Sequence, residues 1–122
     1  MEEIKVGEYV RSYLGTIGKV TKIDSNTNTK ILYEHKTLIT IEKNVYKHSK
    51  NIIDLIEVGD YVNGEKVDTV LRDGIIYYDK LRIHTTEYNH YFEEDIKSIV
   101  TKEQFASMEY KVGEWEYERD LF

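Results

Sequence analysis

The stretch of sequence that decides the fold is Ile4–Val10, IKVGEYV, which returns almost unchanged as Ile56–Val62, IEVGDYV. A shortened third occurrence, KVGEW, stands at Lys111–Trp115. Seven residues that return with only charged residues exchanged indicate two copies of one folding unit. Short blocks farther along extend the match, since Lys19-Val20 corresponds to Lys66-Val67.

A longer block also repeats, because Ile31–Ile39 aligns with Ile75–Ile83 at an offset of 75 − 31 = 44 residues. Matched blocks in the same order predict an internal duplication. We expect a first unit at 1–56, a second unit at 57–112 and a tail at 113–122. A unit of this size buries little core alone, so the two copies are expected to pack on each other.

Composition limits the classes of function. The chain has no cysteine, no long apolar run and no signal-peptide pattern, so we expect a soluble cytoplasmic protein without membrane contact. Its net charge of −6 argues against general binding to phosphate backbones. The charge is uneven: residues 1–55 sum to +2 (nine basic, seven acidic), and residues 56–122 sum to −8 (eight basic, sixteen acidic).

The local patterns predict a mostly β protein. Asn63-Gly64 and Asp73-Gly74 are typical of tight hairpin turns, and β-branched and aromatic residues fill the runs between turns. Such short strands can remove their edges by closing into small barrels, the last strand being Asn51–Ile56 in one unit and Asp95–Val100 in the other. One short C-terminal helix is predicted at about 101–109, where Thr101 and Gln104 form a capping box.

Two segments carry a resemblance to known proteins. Val6–Val10 followed by Gly15–Ile23 resembles the opening of a KOW or SH3-like small barrel. The chain, most clearly at Asn51–Val62 and Thr101–Gly113, also resembles small uncharacterised proteins carried by phages and mobile elements of low-GC Gram-positive bacteria. The resemblance implies two tandem SH3-like small barrels and a phage or mobile-element setting. It also implies binding to RNA or protein and no catalytic residues, with function residing in loops.

The two units differ most in a pair of predicted loops. Thr40–Lys50 contains the basic residues Lys43, Lys47, His48 and Lys50, which could contact phosphates. His84–Glu94 contains instead Glu87, Glu93 and Glu94. One interpretation is two patches of opposite charge for different partners. The other is neutral drift of solvated loops or a weak salt-bridged contact between the copies.

Aromatic residues add to the acidic segments. Tyr88, Tyr91 and Phe92 lie within five residues, and we expect at least one to be exposed as an interface anchor. The tail alternates aromatic and acidic residues. It is interpreted either as a strand that covers a barrel edge or as an acidic docking peptide. Its candidate residues are Glu114, Trp115, Glu116, Tyr117 and Glu118.

Neither a metal site nor an enzyme is predicted. His84, Glu87, His90 and Glu94 would align on a helix, but the repeat predicts a strand end and a loop there, and no HExxH motif is present. Cysteine nucleophiles, a Gly-x-Ser-x-Gly elbow and a P-loop are also absent from the sequence. We therefore expect neither cofactor nor catalysis.

The function predicted from these features is non-enzymatic. The chain would inhibit a host antiviral-defence component, as anti-CRISPR proteins do, by binding a host protein through its acidic and aromatic loops. One alternative is a KOW-like accessory that binds nucleic acid through the basic segment of the first unit. A further alternative is a sponge for a small nucleotide signal, held in a groove between barrels or subunits. Homo-oligomerisation is compatible with all three.

Overall fold

The computed structural model describes residues 3–26, 28–73 and 80–109. Two predictions therefore lie outside the described residues. One is the turn at Asp73-Gly74, of which only the first backbone position is described. The other is the whole tail, with Glu114, Trp115, Glu116, Tyr117 and Glu118.

The protein is mostly β, as predicted, and has one described α-helix. Short 3-10 turns occupy Glu42–Asn44, Ile52–Leu55 and Glu93–Asp95. The predicted closing strand of the first unit, Asn51–Ile56, is therefore wrong, because most of it forms a 3-10 turn. The regular elements in chain order are β1 (Tyr9–Ser12), β2 (Ile17–Lys19), β3 (Lys22–Asn26), β4 (Thr29–Glu34), β5 (Thr37–Ile41), β6 (Val45–Ser49), β7 (Tyr61–Val62), β8 (Glu65–Asp73), β9 (Lys80–Thr85), β10 (His90–Phe92), β11 (Ile99–Val100) and α1 (Lys102–Met108).

The strands form three small antiparallel sheets, in the orders β2-β1-β6, β3-β4-β5 and β10-β9-β8-β7-β11. None closes into a barrel within the described part of the chain, which corrects the expectation of closed barrels. In the first half the ladder is interrupted at Val20-Thr21, between β2 and β3, so two sheets form there instead of one. In the second half the outer strands β10 and β11 are not paired with each other in the described structure.

Two hydrophobic clusters form the core, one in each half of the chain. The first contains Ile4, Val10, Val20, Leu32 and Val45. The second contains Ile53, Ile56, Val62, Val67 and Ile83. The turn at Ile52–Leu55 belongs to the first half in sequence, but Ile53 packs into the second cluster, so it joins the two halves.

The repeated phrase forms the same turn twice. Gly7 and Gly59 have φ angles of 98° and 99°, a region that glycine adopts without steric cost. In each copy the following carboxylate accepts a hydrogen bond from the backbone N–H three residues earlier. Lys5 donates to Glu8 at 2.7 Å, and Glu57 donates to Asp60 at 2.8 Å. The phrase is therefore a structural turn that leads into β1 and β7.

Local chemistry also decides two other elements. Asn63 and Gly64 have φ angles of 53° and 81° and join β7 to β8 as a two-residue turn, which confirms the predicted hairpin. Thr101 and Gln104 form the predicted capping box at the start of α1. The helix lies against the first half, because the Thr101 hydroxyl donates to the Gly15 carbonyl at 2.9 Å.

Candidate functional site

The most exposed aromatic side chain of the described structure is Tyr88, in the turn between β9 and β10. We call residues 86–89 the Tyr88 loop. Tyr88 is 97% exposed, which confirms that at least one of the three predicted aromatics is presented to solvent. Its φ of 65° lies in the left-handed region, which a bulky residue adopts only when its surroundings hold it there. The loop therefore presents an aromatic ring on a constrained backbone.

Hydrogen bonds to Thr85 provide that constraint. The Tyr88 N–H donates to the Thr85 carbonyl at 3.1 Å, and the Thr85 N–H donates to the Asn89 carbonyl at 2.9 Å. The Thr85 hydroxyl accepts from the N–H groups of Glu87 and Asn89, both at 3.3 Å. Thr85 itself is buried, so its side chain organises the turn from below. The position of Tyr88 is consequently fixed by the end of β9.

Glu65, on β8, anchors the same loop from the neighbouring strand. Its carboxylate accepts from the Thr85 hydroxyl at 2.8 Å, from the Asn89 amide at 2.7 Å, and from the Tyr91 hydroxyl. These hydrogen bonds, that of Tyr91 first, lower the pKa of Glu65, and the same contact raises the pKa of Tyr91. Glu65 therefore accepts these bonds as a carboxylate at neutral pH.

The other predicted acidic and aromatic residues are divided between core and surface. Tyr91 packs against the second core cluster, so it is a structural residue and not a free anchor. Phe92 is half-buried. Glu93 is half-buried and accepts a hydrogen bond from the Ile53 N–H at 3.2 Å, while Glu94 is exposed. Of the three aromatics, only Tyr88 is exposed.

His84 and His90 lie opposite each other on β9 and β10, with ring centroids 5.6 Å apart. The strand pairing accounts for their proximity. Across the three described stretches, no group of three or more histidine, aspartate or glutamate side chains is placed to hold a metal ion.

The basic segment of the first unit is not a loop. Thr40–Lys50 contains the end of β5, a 3-10 turn and β6, which pairs with β1. Two of its four candidate phosphate ligands face carboxylates. Lys47 lies 3.0 Å from Glu57, and the His48 ring lies 3.2 Å from Glu8.

The remaining two candidate phosphate ligands, Lys43 and Lys50, are exposed, on the 3-10 turn and after the end of β6. The four basic residues therefore do not form one free cationic surface, because two of them are already paired.

A buried ionic cluster that the sequence did not predict joins the two halves. Arg11 on β1 and Asp60 in the second copy of the phrase are both fully buried. The guanidinium donates to both Asp60 oxygens, to the Leu55 carbonyl at 2.9 Å and to Glu103 of α1 at 2.7 Å. Val10 packs in the first core, so the next residue, Arg11, points to the opposite face of β1. Strand β1 thus packs in the first half through Val10 and binds the second half through Arg11.

The charges of this cluster reinforce one another. Burial alone would raise the pKa of Glu57, but hydrogen bonds from Lys102, Tyr46 and Lys47 and the nearby charge of Arg11 outweigh it and lower that pKa to about 2. Burial would likewise lower the pKa of Arg11, yet its bonds to Asp60 raise it. Every carboxylate of the cluster is matched by a cation, which is the arrangement of a structural bridge.

No local sequence signal points to this bridge. In the two copies of the phrase, Val10 and Val62 are followed by Arg11 and Asn63, which are polar residues where the alternation of a strand ordinarily places them. The partner Asp60 is 49 residues away, and no local pattern identifies it.

The comparisons with known proteins give no further guide to the site. No described helix is long and apolar enough to cross a membrane. No protein-family model, no curated protein and no solved structure was found to match the chain.

Proposed function

We propose that the chain is a non-enzymatic binding protein that attaches to a partner protein through the Tyr88 loop. The observation that carries this proposal is the presentation of Tyr88. Its ring is almost fully exposed, while its backbone is fixed in a disfavoured conformation by Thr85. A rigid aromatic anchor buries a large area on binding and loses little conformational entropy, which is why tyrosine is common at binding hot spots.

The chemistry around the loop favours a basic partner. His84–Glu94 contains three glutamates and no lysine or arginine, and residues 56–122 carry a charge of −8. A field of this sign attracts a protein surface that normally holds phosphate. Together with the resemblance to phage and mobile-element proteins, this supports the more specific proposal that the partner is a nucleic-acid-binding component of host antiviral defence.

The proposal is tested by affinity capture and by a protection assay. Immobilised full-length chain should retain a host defence protein, and expression of the chain should restore plaque formation by phage in a defended host. Tyr88→Ala should reduce both effects by at least about tenfold, as expected of a hot-spot residue. Tyr13→Ala is the matched control, since Tyr13 is 63% exposed but lies in the first half. Failure of the wild-type chain in both assays would refute the proposal.

The nucleic-acid alternative rests on two residues. Lys43 and Lys50 are exposed, whereas Lys47 and His48 face Glu57 and Glu8. If RNA or DNA binds this segment, Lys43→Glu and Lys50→Glu should weaken binding and reduce its dependence on salt. We favour the protein partner because only two of the four basic residues of this segment, Lys43 and Lys50, have no carboxylate partner in the described structure.

We also propose that the two halves are copies of one SH3-like unit. In support, β1 pairs with β2 and β6, and β7 pairs correspondingly with β8 and β11. The Gly7 N–H donates to the Val20 carbonyl at 2.8 Å, and the Gly59 N–H donates to the Val67 carbonyl at 2.9 Å. The donors are related by an offset of 59 − 7 = 52 residues and the acceptors by 67 − 20 = 47, as in the sequence alignment of the two units.

The strand registers favour a different alignment beyond this point. Leu32 lies opposite Thr40, and Ile83 lies opposite Tyr91, which gives offsets of 83 − 32 = 51 and 91 − 40 = 51. Both Leu32 and Ile83 are fully buried, as equivalent core positions should be. In this part of the repeat we therefore propose an offset of 51 residues in place of 44. With this offset, Thr40–Lys50 corresponds to 91–101. The difference in charge between Thr40–Lys50 and His84–Glu94 is then a difference between positions that are not equivalent in the two copies.

A further inference from the structure

A cleft of about 400 Å³ lies between the first sheet and the segment 93–99 of the second half. Its volume is at the low end of the roughly 300–1,000 Å³ of small-molecule sites. Both halves contribute walls, so the cleft exists only when they are assembled. The apolar walls are formed by Tyr9, Ile17, Ile52, Ile96 and Ile99.

Two residues of opposite charge, Glu93 and Lys97, are among the residues that line the same cleft. Glu93 uses one carboxylate oxygen to accept from the Ile53 N–H, so its other oxygen can accept from a ligand. Lys97 donates its backbone N–H to Asn63 at 2.7 Å. Its ammonium forms no ion pair with any side chain of residues 3–26, 28–73 or 80–109. The cleft therefore offers one anionic and one cationic group beside an apolar surface.

The wall that carries these charges is held in place before any ligand binds. The side chain of Asn63 donates to the Asp95 carbonyl at 3.0 Å and accepts from the N–H groups of Lys97 and Ser98. The Asn63 N–H donates to the Ser98 carbonyl at 3.0 Å. A preformed wall reduces the entropy lost on binding.

We propose that this cleft binds a free apolar α-amino acid, with its ammonium group on Glu93, its carboxylate on Lys97 and its side chain against the isoleucines. A zwitterion with an apolar side chain is the simplest ligand that pairs both charges and covers the apolar walls. A nucleotide fits less well, because its phosphates would meet a single lysine beside a glutamate. The inference is independent of the Tyr88 loop.

The first test compares ligands that differ by one charge. L-phenylalanine and L-isoleucine are titrated into the full-length chain, and the isoleucine methyl resonances are followed by NMR. Saturable shifts at Ile17, Ile96 and Ile99 are expected. N-acetyl-L-phenylalanine and L-phenylalanine amide each lack one charge and should bind at least about tenfold more weakly. No saturable shift at millimolar ligand, or equal binding of all the analogues, would overturn the proposal.

The second test removes each protein charge separately. Glu93→Gln keeps an acceptor for the Ile53 N–H but loses the charge, and Lys97→Gln leaves the backbone bond to Asn63 intact. Each should weaken binding of L-phenylalanine by about tenfold or more. Lys36→Gln and Glu109→Gln, both on exposed residues outside the cleft, are the matched controls and should leave binding unchanged. Equal effects of cleft and control variants would contradict the assignment of the two charges.

Discussion

Replacing Asp60 with alanine removes the carboxylate on which both halves and the helix converge. Asp60 is fully buried and accepts two hydrogen bonds from Arg11, one of them at 2.9 Å. It also accepts from the backbone N–H groups of Glu57 at 2.8 Å and Lys102 at 2.9 Å. Asp60→Ala removes the acceptor of all these bonds, and the two from Arg11 are fully buried.

The expected loss is large because Arg11 stays buried without its main counter-charge. Removing one partner of a buried ion pair costs about 3–5 kcal/mol. Glu103 and the Leu55 carbonyl still accept hydrogen bonds from the guanidinium. Because these two bonds remain, the loss of stability should not exceed this range. A domain is commonly stable by only about 5–15 kcal/mol, so the variant should be close to unfolding.

Urea unfolding followed by far-UV circular dichroism measures this loss as a change in the free energy of unfolding. Lys47→Met is the matched control. Lys47 also forms an ion pair with a carboxylate, that of Glu57 at 3.0 Å, but it is partly exposed, so its loss should stay within about 1 kcal/mol. Arg11→Met combined with Asp60→Ala should lose less than the sum of the two single variants, because the pair is coupled. If Asp60→Ala is no more destabilising than Lys47→Met, the buried bridge does not hold the halves together.

Three further predictions concern the same junction. The pKa of Glu57 is lowered from 4.5 to about 2, so the stability that it contributes is present above pH 4.5 and is lost as the pH falls towards 2. In Glu57→Gln the urea concentration at half-unfolding should depend less on pH over that interval than in the wild type. An unchanged pH dependence would contradict the assignment. Gly15→Ala should destabilise the fold more than Gly64→Ala. Both glycines have positive φ, but only at Gly15 would the new Cβ overlap the Thr101 hydroxyl. Urea unfolding should give about 1–2 kcal/mol for Gly64→Ala and a larger loss for Gly15→Ala, whereas equal losses would show that the helix can move aside. Thr101→Ala should cost about 1–2 kcal/mol, because the helix cap and the bond to Gly15 are both lost, and Ser107→Ala on the exposed helix surface is its control.

Features that depend on neighbouring residues could be predicted from the sequence. The turn at Asn63-Gly64 follows from the positive φ angles that those residues accept, and the start of α1 follows from the Thr101 capping box. The sequence also predicts that at least one of Tyr88, Tyr91 and Phe92 is exposed, and the structure shows that it is Tyr88. In each case the decisive contacts lie within a few residues.

Features that depend on contacts between residues distant in sequence could not be predicted. Nothing local to Arg11 indicates Asp60 as its partner, and nothing local to Lys47 indicates Glu57. The prediction of a loop at Thr40–Lys50 was wrong because the contacts that make part of it a strand are distant in sequence. Val45 is buried in the first core while β6 pairs with β1. The pairing with β1 makes this segment a strand despite its polar composition.

The central claim is that the Tyr88 loop is the binding surface. It is tested most directly by titrating the captured host partner, once purified, with the wild-type chain, with Tyr88→Ala and with Tyr13→Ala. Tyr88→Ala is expected to raise the dissociation constant at least about tenfold, while Tyr13→Ala is expected to leave it unchanged. Equal affinity of Tyr88→Ala and wild type would contradict the claim.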